Sequence, residues 1–206
     1  VFNIIHMKSR YILFFVIILL LFGLSSKAYA DTLGQRVNFN VNSEFDKYNR
    51  TNLNATLRYI SDRLYVYVED NYWNGLNSLG QNTLIANIKN LTDGFDNNIY
   101  PKETTTWGSE PNPGVDGDPR ITILLEEMTV NRGGYFETVN SYSKAEARDS
   151  NEREMVSLNA EVLVSDPFLE KVFLAHEFQH LISFNQKEKI LNLSEDVWLN
   201  ELRSEY

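Results

Sequence analysis

Residues 165–184 read SDPFLEKVFLAHEFQHLISF, and this stretch decides how the surrounding chain is expected to fold. The opening SDP predicts a helix start, because a capping side chain can bind the first free N–H groups and proline lacks an N–H that would be unpaired there. We expect the helix to run from about Pro167 to Phe184. The helix is predicted to be buried because it carries the apolar residues Val172, Phe173, Leu174, Phe178 and Leu181.

Within this helix, residues 176–180 read HEFQH, the pattern His-Glu-x-x-His. His176 and His180 are one helical turn apart and face the same way, so their imidazoles can bind one zinc ion. Glu177 lies beside the pair and can reach a water on the metal rather than the metal itself. Zinc lowers the pKa of such a water to about 7, and a carboxylate can then accept its proton. A buried helix with incidental histidines is the alternative, but buried polar side chains need partners, which a metal would supply.

A zinc site of this kind needs a third protein ligand. The chain has 3 histidines and no cysteine, and the remaining histidine is His6 near the start. The ligand must therefore be Asp or Glu. The acids that follow the motif are Glu188, Glu195, Asp196, Glu201 and Glu205.

Residues 198–205, WLNELRSE, predict the start of a second helix. Glu201 and Glu205 share a face of that helix because they are one turn apart. One of them can bind zinc while the other accepts a hydrogen bond from a ligand histidine. A solvated acidic face is the alternative interpretation of this pair.

The rest of the chain predicts a sheet that packs against helices. Residues 83–99 have helical apolar spacing, Pro101 is expected to end that helix, and residues 102–119 are expected to form a loop. Gly133-Gly134 predicts a turn. Strands are predicted at residues 63–70, 121–128 and 155–160. The order of these elements indicates an α+β fold with a mostly antiparallel or mixed sheet.

An almost wholly apolar run lies near the start, where residues 11–24 read YILFFVIILLLFGL. Lys8 and Arg10 precede it and the small-residue sequence AYA at residues 28–30 follows it, as in a secretory signal peptide. A retained membrane anchor is the alternative. Fourteen helical residues span only about 21 Å, which is short of the ~30 Å hydrocarbon core. We therefore favour export with cleavage after Ala30.

These observations divide the chain into three parts. Residues 1–30 are expected to be the signal peptide, with residues 1–6 as an upstream extension because Met7 is a natural start. Residues 31–60 are polar and rich in asparagine, and they predict a leading strand or the remnant of a pro-segment. Residues 61–206 are expected to form the domain that carries the zinc site.

The expected mature chain is strongly acidic. Loss of residues 1–30 removes 3 of the 19 Lys and Arg residues and none of the 28 acids, which gives a net charge of −12. Such a surface repels nucleic acid and anionic lipid, so we expect neither as a partner and no stable membrane anchor after cleavage.

The loop before the strand at residues 121–128 contains a weaker indication of a second metal site. Asp116 and Asp118 flank Gly117 and could hold calcium through paired carboxylates. Asp-Gly is also a turn signal, and the turn is the favoured interpretation.

The motif HEFQH followed after twenty residues by the sequence NELRSE at 200–205 resembles the gluzincin, or thermolysin-like, metallopeptidases. Further blocks are similar to the bacterial hyicolysin-type secreted neutral peptidases, and the resemblance covers about residues 60–206. These blocks are FDNNIYP at 95–101, ITILL at 121–125, GGYF at 133–136, NEREM at 151–155, AHEFQHLI at 175–182 and WLNE at 198–201.

This resemblance implies a zincin-like fold and a role for each site residue. His176, His180 and Glu201 would be the zinc ligands and Glu177 the general base, while Glu205 would support a ligand. The sequence departs from the family at Leu202-Arg203, where Gly-Leu is usual, and it stops at Tyr206, before the C-terminal lobe of the family.

The sequence therefore predicts a secreted zinc-dependent endopeptidase that acts on proteins or peptides through a zinc-bound water activated by Glu177. An inactive exported remnant that still binds zinc is the alternative. Leu202-Arg203 and the end of the sequence at Tyr206 motivate that second hypothesis.

Overall fold

The computed structural model describes residues 30–193 together with Glu201 and Ser204. In this part of the chain a six-stranded sheet lies at the centre. Its strands are β1 (Arg36–Asn40), β2 (Asn52–Ile60), β3 (Leu64–Glu69), β4 (Ile121–Glu126), β5 (Gly134–Tyr135) and β6 (Met155–Asn159). Their order across the sheet is β1-β2-β3-β4-β6-β5. β3, β4 and β6 run parallel to one another, and the outer pairings are antiparallel. The mixed sheet confirms the α+β class.

Helices cover one face of the sheet. They are α1 (Asp70–Gly75), α2 (Ser78–Gly94), α3 (Tyr100–Trp107), α4 (Ala160–Ser165) and α5 (Pro167–Ser183). A π-helical turn at Phe95–Ile99 joins α2 to α3, and another at Phe184–Lys189 extends α5. Within the ranges described, no helix is both long and apolar enough to cross a membrane. Of the predicted signal peptide at residues 1–30, residues 1–29 lie outside the described residues.

The predicted strand at residues 63–70 is confirmed as β3, and its side chains alternate between the two faces of the sheet. Leu64, Val66 and Val68 face the helices and join the main core, while Tyr65 and Tyr67 face a second buried cluster on the other side of the sheet. Every residue of β3, β4 and β6 is buried. The strands that lead to the helices of the site are therefore packed on both faces.

The prediction that Pro101 ends a helix was wrong. Pro101 lies in the first turn of α3, where a missing N–H costs nothing, and the chain stays helical as far as Trp107. The predicted loop therefore begins only at Gly108, which has a φ of +95°. Three threonines conceal this helix in the sequence, because threonine is a poor helix former, yet each hydroxyl donates to the carbonyl four residues earlier.

Residues 31–60 contribute two strands to the central sheet. β1 and β2 pair with each other in antiparallel register, and β2 pairs with β3. Phe39, Ala55 and Leu57 are fully buried in the second cluster. The polar leading segment thus supplies alternate apolar residues to the core.

Three buried carboxyl groups make stability depend on pH. Burial raises the pKa of Glu154 to about 7, of Glu126 to about 8 and of Glu170 to about 9. Unfolded glutamates titrate near 4.3, so the folded state binds these protons more tightly. The resulting stabilisation is complete below about pH 4 and is lost as pH rises through the folded pKa values.

We therefore expect the free energy of unfolding, measured with urea in the presence of a chelator, to fall between pH 5.5 and pH 8.5. Glu170→Gln should flatten this dependence, because a neutral amide does not titrate. The exposed Glu44→Gln serves as a control and should keep the wild-type slope. A wild-type stability that rises over this range would contradict the expectation.

Candidate metal centre

Helix α5 begins as its sequence predicts. The Asp166 side chain accepts a hydrogen bond from the backbone N–H of Leu169 at 3.0 Å, and Pro167 occupies the first turn. Leu174, Phe178 and Leu181 then pack into the main core. The Phe178 ring lies 4.9 Å from that of Phe95, centroid to centroid, so the helix is fixed in the middle of the motif.

Three of the predicted site residues lie together. His176 Nε2 and His180 Nε2 are 3.1 Å apart. The Glu201 carboxylate lies 3.4 Å from His176 Nε2 through one oxygen and 3.7 Å from His180 Nε2 through the other. Among the described residues, this is the group of His, Cys, Asp or Glu side chains placed to hold a metal ion.

The spacing and chemistry of these donors fit a tetrahedral ion of the size of zinc. Ligand bonds of about 2.0–2.2 Å place tetrahedral donor atoms about 3.3–3.6 Å apart, and the three measured separations bracket that range. Two imidazoles and one carboxylate leave a fourth position for water or substrate, as in catalytic sites of this kind. The ligand roles of the three residues stay predictions.

Glu177 is held beside this group in a dry environment. Its side chain is 8% exposed, and burial, reinforced by the nearby negative charge of Glu201, raises its pKa to about 8. The backbone N–H of Phe136 partly opposes that rise. The Glu177 carboxylate is not among the three grouped donors. Its role as a general base stays a prediction.

Two glycines allow β5 to approach α5, and their function was not recognised in the sequence. Gly133-Gly134 was predicted as a turn, whereas Gly134 begins the edge strand β5. A Cβ on Gly134 would come within 3.2 Å of Glu177 Cγ and 2.9 Å of the Ser157 carbonyl oxygen. A Cβ on Gly133 would lie 2.1 Å from the Phe173 ring. The only signal in the sequence was the pair of adjacent glycines, which marks close approach as well as turns.

The remaining predicted site residues lie elsewhere or cannot be placed. Glu205, Leu202-Arg203, Glu195 and Asp196 lie outside the described residues. Glu188 is exposed on the π-helical turn after α5 and lines a small cavity that Glu201 and His180 also line.

The predicted calcium pair is engaged within its own loop. The Asp118 N–H donates to Asp116 Oδ1 at 2.9 Å, and Gly117 has a φ of +76°. Asp118 accepts hydrogen bonds from the Tyr65 hydroxyl and from the Arg120 N–H. These bonds favour the turn interpretation.

The chain has an α+β fold in which two histidines and one carboxylate lie together on the helical side of the sheet. This arrangement defines the chain as a candidate metalloenzyme. Comparison with curated proteins adds a particular relative, the neutral metalloprotease ShpI of Staphylococcus hyicus, which is 31% identical over 172 residues. The match covers 74% of this chain and 36% of that protein, so the chain matches about a third of the length of its relative. No protein-family model matches the chain. The similarity supports the general class of metal-dependent proteases for this chain.

Proposed function

We propose that the protein is a secreted zinc endopeptidase. The observation that carries this proposal is the group formed by His176, His180 and Glu201, whose donor atoms have the spacing of a tetrahedral zinc site. When bound there, zinc would polarise the substrate carbonyl and lower the pKa of a water molecule. The similarity to a neutral metalloprotease supports hydrolysis of peptide bonds as the reaction.

Glu177 is the residue that moves the proton in this proposal. Its carboxylate accepts a proton from the water whose oxygen attacks the peptide carbonyl carbon. It then gives this proton to the amine nitrogen as the C–N bond breaks. The Gly134 backbone packs closely against the stem of this side chain, which limits its orientation before substrate binds.

A largely apolar cavity of about 680 Å³ is lined by residues of α5 and of the chain before β5, and none of His176, Glu177, His180 and Glu201 lines it. Phe173, one turn before Glu177 on α5, forms part of its wall, and Gly133 continues the wall on the β5 side. The other apolar lining residues are Met128, Val130, Val162 and Leu169. We infer that the cavity receives an apolar side chain of the substrate next to the bond that is cleaved.

The sequence supports the remaining parts of the proposal. The predicted signal peptide supports secretion, and a net charge of −12 after its removal supports a protein or peptide substrate rather than nucleic acid.

The test uses the full-length secreted protein. We expect one zinc per chain by metal analysis and cleavage of an unstructured protein such as casein, with activity lost on chelation and regained with zinc. Protein that binds zinc but cleaves no peptide would favour the inactive remnant. Folded protein without zinc affinity would reject both hypotheses.

The cavity gives a prediction about specificity. Leu169→Arg places a charge in the apolar wall, so kcat/KM for peptides with Leu or Phe beside the cleaved bond should fall about 10- to 100-fold. Peptides with Gly at that position should be affected much less. Phe168→Arg is the matched control, because Phe168 is 77% exposed on the same helix and does not line the cavity. An equal loss for both kinds of peptide would contradict the assignment.

A further inference from the structure

Asp31, the residue after the predicted cleavage site, has a side chain held inside the protein. This side chain is 9% exposed and is paired with Arg153, 122 positions away in the sequence. Both terminal nitrogens of Arg153 donate to the Asp31 carboxylate. The Tyr67 hydroxyl and the Gln35 amide also donate to it, each at 2.8 Å. Burial alone would raise the pKa of Asp31, but the hydrogen bonds and charge of Arg153 hold it below its usual value.

Arg153 depends on this carboxylate. Its side chain is 15% exposed, and its guanidinium lies 5.5 Å from the Tyr67 ring centroid and 5.8 Å from that of Phe39. A buried cation that loses its partner is strongly destabilising. Arg153 lies two residues before β6, which leads through α4 into the helix of the metal centre. The ion pair between Asp31 and Arg153 thus connects the start of the expected mature chain to β6, the strand that leads to the helix of the metal centre.

The residues after Asp31 are also bound into the fold. The Gly34 N–H donates to the Leu57 carbonyl at 2.9 Å, and the Leu57 N–H donates to the Gln35 carbonyl at 2.8 Å. Residues 31–60 supply β1, β2 and five of the nine buried residues of the second cluster. Removal of this segment would expose Tyr67 and Leu124, which belong to the same cluster.

Cleavage after Ala30 would create a positive charge at Asp31, in a region where acidic side chains outnumber basic ones. Hydrolysis of the Ala30–Asp31 bond adds water and leaves a carboxylate on Ala30 and an ammonium group on Asp31. Asp31 lines a cavity of about 430 Å³ with more acids than bases among its lining residues. The charged members are Asp31, Asp116, Asp118, Glu152, Lys144 and Arg153. A new positive charge at Asp31 therefore enters a region with an excess of negative charge.

We propose that a host signal-processing peptidase cleaves the Ala30–Asp31 bond, that processing ends there, and that residues 31–60 stay in the mature protein. The Asp31 carboxylate then fixes the new N-terminus to Arg153. The leading segment is accordingly a structural part of the folded protein and not a removable pro-segment.

The direct test is N-terminal sequencing and intact mass of the full-length protein secreted from a bacterial host, together with circular dichroism to establish folding. We expect a folded product that begins at Asp31. A folded product that begins at any other residue overturns the proposal. The measurement needs no catalytic activity, so it is independent of the proposed function.

The role of the Asp31 carboxylate has its own test. Asp31→Asn keeps the shape of the side chain but removes the carboxylate that pairs directly with Arg153. We expect proteolysis of the folded variant by an added protease to be faster on the order of a hundredfold, because the open population rises. Glu152→Gln is the control, since this acid lines the same cavity but is exposed in its ion pair with Lys144, and it should change the rate less than about threefold. Equal rates for the two variants would show that Asp31 does not fix the N-terminus.

Discussion

Glu177→Gln is expected to lower kcat for peptide cleavage by about 10²- to 10⁴-fold while the protein keeps its zinc. The amide has the shape of the carboxylate but cannot accept the proton from water. Zinc should stay bound because Glu177 lies beside the three donor atoms and is not one of them. Metal content by mass spectrometry and kcat on a fluorogenic peptide measure the two quantities separately, and added zinc should not restore activity.

Glu170→Gln is the matched control for this substitution. Glu170 is a fully buried carboxyl on α5, two turns before Glu177, and burial raises its pKa as well. Since it makes no contact with the three donor atoms, its loss should change kcat only a few-fold. Full activity of Glu177→Gln in a protein shown to cleave peptides would reject the proposed mechanism even with zinc present.

Glu201→Gln is expected to weaken zinc binding at least about 100-fold, because a neutral amide oxygen is a poorer ligand than a carboxylate. Activity should then return in part with excess zinc, unlike that of Glu177→Gln. Titration against a zinc-chelating dye measures the affinity. His176→Ala should remove binding altogether, since it leaves a single imidazole in the site.

The control for the third ligand is Glu188→Gln. Glu188 follows the motif more closely in sequence and lines a cavity with Glu201 and His180, yet it is not among the three grouped donors. Its substitution should leave zinc affinity unchanged. If Glu188→Gln weakens binding and Glu201→Gln does not, the ligand assignment is wrong.

The part of the fold that follows from local patterns could be predicted from the sequence. The cap at Asp166 and the apolar residues after it act over single turns, so α5 was located to within a residue of its end. The strand pattern is local as well, because β3 shows alternating side chains and β4 is an apolar run of strand length. The motif predicts that His176 and His180 lie side by side, because they are one helical turn apart on the same helix.

The features that were not predicted depend on contacts between distant segments. The close approach of Gly134 to Glu177 depends on the pairing of β5 with β6, which no local pattern specifies. The sequence predicts a helix end at Pro101, although proline is equally suited to the first turn of α3. The burial of Glu170, a charged residue on an otherwise amphipathic helix, likewise becomes visible only when α5 is packed on the sheet.

Hydrogen bonds and an ion pair connect the first strands to the chain before β6, and they affect when the protein can complete its folding. Asn40 and Asn151 exchange hydrogen bonds between backbone and side chain over 111 positions, and Asp31 meets Arg153 over 122. Contacts of such long sequence separation form slowly, because a large loop must close before any of them is made. β1 and β2 can pair with each other early, and β2 with β3, but their contacts with the chain before β6 wait until that part has been synthesised. The contacts that hold Asp31 and Asn40 can therefore form only late in synthesis, once residues 151–153 have been made.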